Sequence, residues 1–387
     1  MTALAVGADE TGVAMTASDD FTSVTEPFRA ELLAHCYRMV GSADEAEDLV
    51  QETYLRAWRS YQGFQGRSSV RTWLYRIATN TCLTAIERRG RRPLPSGLGG
   101  PGDDRGAAPA APLDVPWLQP LPDAALADAA LTGADPAAVA VSRAGTRLAF
   151  VAALQYLSAR QRAVLILRDV LEWPAAEVAG LLGLSTAAVN SALRRARAQL
   201  AQALPAEVDV AEPAEPARRA LLDRYAAAFQ EADVAALAAL LRADIALEMP
   251  PFATWFAGRE SVARFLASHV LRARGQFRLV ATAANGQPAF ATYERDRDGV
   301  YRAHALQVLT ITPAGVARIV IFLDAGLFGS FRLPPVRDAA VARAVLTGPA
   351  AAAALTGPAA AAAVLTGPAA AAALTGIDDA GRRGGEN

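Results

Sequence analysis

From Phe21 to Arg92 apolar residues recur at the three- and four-residue spacing of an amphipathic helix, with Leu32, Leu33, Cys36, Tyr37 and Val40 on one stripe and Leu49, Thr53 and Trp58 on the next. This predicts a compact all-α module over residues 21–92. The same period returns between Arg143 and Leu204 and predicts a second all-α module over 143–204. Between them, residues 93–142 are rich in Pro, Gly, Ala and Asp, hold no sustained period, and have the segment Pro116 to Asp123 (PWLQPLPD) as their one aromatic landmark. A loop of about fifty residues is abnormal inside a compact domain, so the pattern predicts a flexible linker tethering two modules. After a Pro-punctuated linker at 205–216, a helical pattern from Arg218 to Leu241 gives way to alternation at Ala246 to Met249, Phe277 to Thr282, Ala289 to Arg295, Ala303 to Ile311 and Ala317 to Phe322. A helix followed by strands predicts an α+β domain over 217–333. From Val345 the segment Leu-Thr-Gly-Pro-Ala-Ala recurs, with Gly348, Gly357, Gly367 and Gly376 nine or ten residues apart. That is too short for a self-supporting repeat, so 334–387 is expected to be a disordered low-complexity tail, and residues 1–20 a disordered N-terminus.

Composition narrows the class. The 387 residues are 52% apolar and 20% charged, enough to bury several cores. The start of the chain lacks a basic stretch followed by an apolar run, and no segment holds the roughly eighteen uninterrupted apolar residues of a membrane span. A cytoplasmic protein without membrane partners is the expectation. Cys36 and Cys82 occur without Cys-x-x-Cys or His/Cys ligand spacing, which predicts neither a disulfide framework nor a metal site, and no cofactor motif is present.

The net charge of −1 would argue against nucleic acid, but every basic residue is Arg and their placement is uneven. Residues 21–52 hold two Arg against seven acids, whereas 53–92 hold nine Arg against one acid and 143–200 eight against three. One stretch should repel DNA and two should attract it.

Three segments could carry function. Asp44, Glu47 and Asp48, with Gln51 and Glu52 a turn later, place their polar groups on one helical face; this suits a basic protein partner, and equally a solvated helix start. Phe64, Arg67, Ser68, Arg71, Trp73, Arg76, Asn80, Arg88 and Arg89 interleave aromatic and basic groups, on which unpaired bases can stack while arginines hold phosphates. Trp73 fits that surface and a core position alike. Gly183-Leu184-Ser185 is a tight turn between two helical patterns, with Ser185 placed to cap the second, as in a helix-turn-helix; an ordinary amphipathic hairpin has the same pattern. If Val189, Ala192 or Leu193, Ala196 and Leu200 are buried, Thr186, Ala187, Asn190, Ser191, Arg194, Arg195 and Arg197 face outward.

Asp44 to Trp58 (DEAEDLVQETYLRAW), Thr72 to Leu83 (TWLYRIATNTCL) and the hairpin 172–200 together resemble the extracytoplasmic-function group of sigma factors. The resemblance covers about half of the chain. It implies that the helix 44–52 docks on core RNA polymerase, that 64–92 melts and reads the −10 element of promoter DNA, and that 185–197 reads the −35 element. The third domain resembles the cone-shaped SnoaL-like fold that some members carry at their C-terminus, on Leu222 to Leu240, on Trp255 to Arg259 and on strand order. An Asp-Gly-Gly-Gly-Arg segment of a related fused group is absent here, so no contact is assigned through it.

Trp255, His269, Tyr293, His304 and Asp324 are the candidate pocket residues of that cone. None forms a readable catalytic spacing, so no enzyme activity is expected. Binding of a small apolar ligand, or contact with the two helical modules, uses the same geometry without chemistry. The rival functions are a polymerase-independent repressor and a cyclase or isomerase fused to a DNA-binding module.

Overall fold

The computed structural model describes residues 17–66, 68–102, 112–127, 145–203 and 213–337. The disorder expected of residues 1–16 and of the tail from 338, and the role expected of Arg67, lie outside the described residues.

The first module is built from α1 (Ala17–Thr25), α2 (Arg29–Val40), α3 (Ala43–Ser60) and α4 (Val70–Arg89). Every residue from Ala30 to Val40 is buried, because α2 runs through the centre with α3 and α4 on either side. Serines start both flanking helices: Ser42 Oγ accepts from the Glu45 N–H at 3.2 Å and Ser69 Oγ from the Thr72 N–H at 3.1 Å. α2 stops at Gly41, which holds a left-handed φ of 72°.

The second module comprises α6 (Leu148–Leu154), α7 (Ala159–Leu165, continued by a wide turn to Val170), α8 (Ala175–Leu182) and α9 (Thr186–Ala203). The reciprocal Ser158–Gln161 capping pair begins α7.

The third domain packs α10 (Glu215–Gln230), α11 (Val234–Leu240) and α12 (Arg259–Phe265) on a seven-stranded sheet. Its strands are β1 (Leu241–Glu248), β2 (Trp255–Ala257), β3 (Phe277–Ala284), β4 (Gln287–Arg295), β5 (Tyr301–Thr312), β6 (Gly315–Phe322) and β7 (Val336–Arg337). The order is β2-β1-β6-β5-β4-β3, with β7 on β5 and only β1 and β6 parallel. The domain extends beyond the expected 217–333 at both ends, since α10 begins at Glu215 and β7 ends at Arg337.

The sheet is covered on both faces. Ile245, Leu247, Phe277, Phe290, Leu309, Ile319 and Ile321 point at the helices α10 to α12. Ala289, Ala291, Tyr293, Leu306, Val308, Val320 and Phe322 point the other way, into a core continuous with that of both helical modules. α13 (Leu327–Ser330) and the segment after it add Phe328 and Phe331 to this second core.

The described parts of the linker differ from a free tether. Leu94, Leu118, Leu121 and Leu126 are buried, the last within the short helix α5 (Asp123–Ala127). The Trp255 indole donates to the Gly99 carbonyl at 2.9 Å, and the Ser96 N–H donates to Glu248 Oε2 at 2.9 Å. Scattered leucines without a period gave no sign of this, because an extended strap needs only isolated apolar anchors to dock.

The modules also touch directly. The Tyr75 and Trp173 rings meet edge-on at 5.2 Å, and the Arg71 guanidinium lies over both. Arg162 is 1% exposed and donates to the Met39 carbonyl at the C-terminal end of α2, to Gln155 Oε1 at 2.9 Å and to the Leu157 carbonyl at 3.3 Å. A helix C-terminus is the place where a buried cation finds unpaired carbonyls.

Two measurements check these contacts. Gly41→Ala forces a side chain into the left-handed region and sets its Cβ 2.7 Å from Leu118 Cδ1; the expected loss is about 2 kcal/mol by urea denaturation. His35 is fully buried against Thr79 Oγ1 at 3.0 Å, and burial, then the nearby Arg38 charge, lowers its pKa from 6.5 to about 3. The folded chain keeps this imidazole neutral while the unfolded chain takes up a proton below 6.5, so stability is lost as pH falls through that value. Between pH 7 and pH 5 the contribution is about 2 kcal/mol, and His35→Gln should flatten that part of the stability–pH curve.

Candidate nucleic-acid interface

α8 and α9 are bent by 100° at Gly183, whose φ of 64° and ψ of 37° close α8. This is the helix-turn-helix angle. Ser185 Oγ accepts from the Ala188 N–H at 3.1 Å and fixes the start of α9. Val189, Leu193 and Ala196 are buried as expected, with Leu193 rather than Ala192 taking the core position and Leu200 half-buried. Thr186, Ala187, Asn190 and Arg194 are exposed along the outer face. Ser191 is half-buried and accepts from Arg195 Nη1 at 2.8 Å. Arg197 is engaged inside the module by a two-pronged pair with Asp169 at 2.8 and 2.7 Å, which also raises its pKa. It does not extend freely toward a phosphate.

On α4, Arg76, Asn80, Thr84 and Arg88 are exposed at successive turns. Thr84 was not among the sequence candidates, although the spacing of Arg76 and Asn80 places it in the same exposed row. Phe64 and Trp73 meet at 4.8 Å with their ring planes tilted by 34° beside the start of this ridge, and both are half-buried, so Trp73 serves the core and the surface together. Ser68 is half-buried ahead of the Ser69 cap. Arg71 stands apart from the ridge: it pairs with buried Glu31 at 2.6 Å, which also accepts from the Tyr75 hydroxyl at 3.2 Å. Arg89 pairs with Glu45 at 3.0 Å, sharing that buried carboxylate with Arg92 at 2.9 Å. Both arginines hold the fold, and only the exposed part of Arg89 faces solvent.

The expected acidic face on α3 is partly committed as well. Glu47 pairs with Arg29 at 2.6 Å and Glu52 with Arg56 at 2.7 Å. Asp44 accepts from Gln119 at 3.2 Å and from Ser330 at 3.1 Å, tying α3 to the linker and to α13. Asp48 and Gln51 are exposed. They run on into Leu55 and Trp58, 52% and 43% exposed, whose period had placed Trp58 inside.

The cone candidates do not converge. Tyr293 lies on the outer sheet face, donating to the Pro334 carbonyl at 3.0 Å. Asp324 is exposed and accepts from the Gly326 N–H at 2.8 Å, and Trp255 holds the linker. Alternation along β4 puts Tyr293 on the face of Ala289 and Ala291, opposite Phe290, and the bulge lies across from it on β5, where His304 is the extra residue. His304 is 3.2 Å from Glu294, and burial lowers its pKa against the pull of that carboxylate. His269 stacks on Phe265 at 5.1 Å. The interior instead holds a chain of Tyr225, Gln307 and Thr292, joined at 2.6 and 2.9 Å and surrounded by aromatic rings. Among the described residues no three His, Cys, Asp or Glu side chains are placed to share a metal ion.

A helical module with a basic ridge and an acidic face, then a helix-turn-helix module, then a sheet-rich cone define a sigma-type chain with an appended SnoaL-like domain. Models of Sigma-70 region 2, Sigma-70 region 4 and the SnoaL-like domain match residues 25–92, 147–200 and 222–320. The ECF RNA polymerase sigma factor SigG of Mycobacterium tuberculosis is 51% identical over 317 residues, 81% of this chain and 84% of that protein. The sigma factor SigJ of the same species is 30% identical over 302 residues, 74% and 86% of the two chains. The crystal structure of SigJ shares the fold, with a TM-score of 0.53 at 22% identity, covering 81% of this chain and all of that one. The chain belongs to the ECF RNA polymerase sigma factors, the alternative factors that direct transcription.

Proposed function

We propose that this sigma factor binds core RNA polymerase through Asp48, Gln51, Glu52, Leu55 and Trp58, the −10 strand through Phe64, Trp73, Arg76, Asn80, Thr84 and Arg88, and the −35 duplex through Thr186, Ala187, Asn190, Arg194 and Arg195. The observation that carries this reading is the pair of separate exposed faces, the ridge of α4 and the first turns of α9, each basic and each on its own module. Side chains at a recognition-helix N-terminus reach base edges, and arginines further along hold phosphates. The factor acts in the cytoplasm, where both partners are found. Among the described residues no single helix is long and apolar enough to cross a membrane.

The cone acts as a docking element that tunes activity rather than as a catalyst. Its outer sheet face is covered by the rest of the chain, and its interior polar chain is satisfied within itself. These contacts favour intramolecular docking over a small apolar ligand.

Transcription from a genomic fragment library with core polymerase of the matching host tests the central claim: specific initiation by the full chain is expected, and none at all would sink it. Asp48→Arg with Glu52→Arg should weaken core binding at least tenfold while the melting temperature falls only by the small cost of losing the exposed Glu52–Arg56 pair. Arg194→Ala should reduce the salt slope of −35 duplex binding by about 0.9, the value of one phosphate contact. Arg197→Ala should leave that slope in place and lower the stability of the second module, because its partner is Asp169.

A further inference from the structure

The turn between β3 and β4 is Asn285-Gly286, with φ of 60° and 66°. Ala284 pairs with Gln287 across it, which is the two-residue hairpin that Asn-Gly favours. Such tips ordinarily project into water. Here Asn285 is fully buried, and its side-chain amide and backbone N–H bond to three other parts of the chain. Its Nδ2 donates to the Tyr37 hydroxyl of the first module at 2.7 Å and to the Thr146 carbonyl ahead of α6 at 2.6 Å. Its Oδ1 accepts from the Leu121 N–H of the linker at 2.9 Å, and its own N–H donates back to the Leu121 carbonyl at 2.9 Å.

The neighbours extend the pattern. The Gly286 N–H donates to Asp123 Oδ1 at 2.8 Å, and Gln287 Oε1 accepts from the Leu148 N–H at the start of α6 at 2.9 Å. Tyr37 passes its own proton to the Gln119 carbonyl at 2.8 Å. One hairpin tip thus joins the cone, the linker and both promoter-reading modules.

These contacts hold the modules closer than a promoter permits. Elements centred at −10 and −35 are about 85 Å apart on B-form DNA at 34 Å per turn of ten base pairs. A module of 60 to 70 residues has a radius of gyration near 11 Å, hence a diameter of about 30 Å. Two such modules in contact, as the Tyr75 and Trp173 rings are, span at most about 60 Å between their outermost surfaces. Both elements cannot be read at once from this arrangement.

We propose that the Asn285-Gly286 tip is a latch that holds the two modules closed, and that engagement of both promoter elements requires it to withdraw. The inference rests on the promoter-reading assignment made above. Its bonds are well suited to release, because those of Asn285 are neutral hydrogen bonds that water replaces on opening, each with a small net contribution, and only the Gly286 N–H reaches a carboxylate, at Asp123. The cone then opposes opening through one polar point as well as through its apolar sheet face.

The test uses the full chain with Asn285→Gly, which keeps the left-handed turn while deleting three side-chain bonds. The closed-to-open ratio should fall by tenfold or more, on the order expected for three neutral hydrogen bonds. It is read as an increased radius of gyration in small-angle scattering and as higher initiation at limiting core polymerase. Asn285→Asp, equal in size but unable to donate to Thr146, should act in the same direction. Tyr37→Phe supplies an independent cut on the opposite side of the latch. Unchanged circular dichroism would show that the cone remains folded. A wild-type chain that initiates, with Asn285→Gly and Tyr37→Phe variants equal to it in size and activity, overturns the latch while leaving the sigma assignment intact. Larger size with reduced initiation also overturns it, because the tip would then be a brace for the active form. If no form of the chain initiates, the promoter-reading assignment itself has failed, and the latch with it.

Discussion

A sheet that is apolar on both faces cannot stand in water on its own, and the arrangement of the chain follows from covering it. Three helices of the cone cover one face, as in any two-layer α+β domain. The second face presents Ala289, Ala291, Leu306, Val308, Val320 and Phe322, which require a partner of comparable area. The linker and both helical modules supply that partner, so the described residues of three sequence modules form two cores rather than three.

Charge is handled differently in the two cores. The first embeds carboxylates with arginine forks: Glu31 with Arg71, Glu45 with Arg89 and Arg92, and Glu248 with Arg318 at 2.5 Å. A buried carboxylate is tolerable only when its oxygens are matched, and guanidinium geometry matches two at a time. The use of Arg for every basic position accords with this double duty, since the same side chain type serves these forks and the exposed ridge of α4. The second core takes in almost no charge and relies on the neutral chain from Tyr225 to Thr292.

Much of this was legible in the residues. The helical period marked both modules, Gly183 and Ser185 marked the helix-turn-helix, and alternation found five of the strands. The docking of the linker was not legible, because Leu94, Leu118 and Leu121 have no period and their partners are far away in sequence. Nor was it visible which arginines were already engaged. Arg71 and Arg197 look like Arg76 and Arg194 in a string of letters, and only the placement of Glu31 and Asp169 separates them. The pocket residues failed for a related reason: choosing polar letters in an apolar domain says nothing about which sheet face each occupies.

The stacking of Arg71 on Tyr75 and Trp173 has a bearing on how such chains can diversify. Two of the three residues sit on the ridge helix of the first module and the third precedes α8 in the second. A recombination event that exchanged one module between related factors would separate them, leaving Glu31 facing an arginine whose other support had gone. The two modules are therefore inherited most safely as a pair, even though each matches a separate sigma-region family.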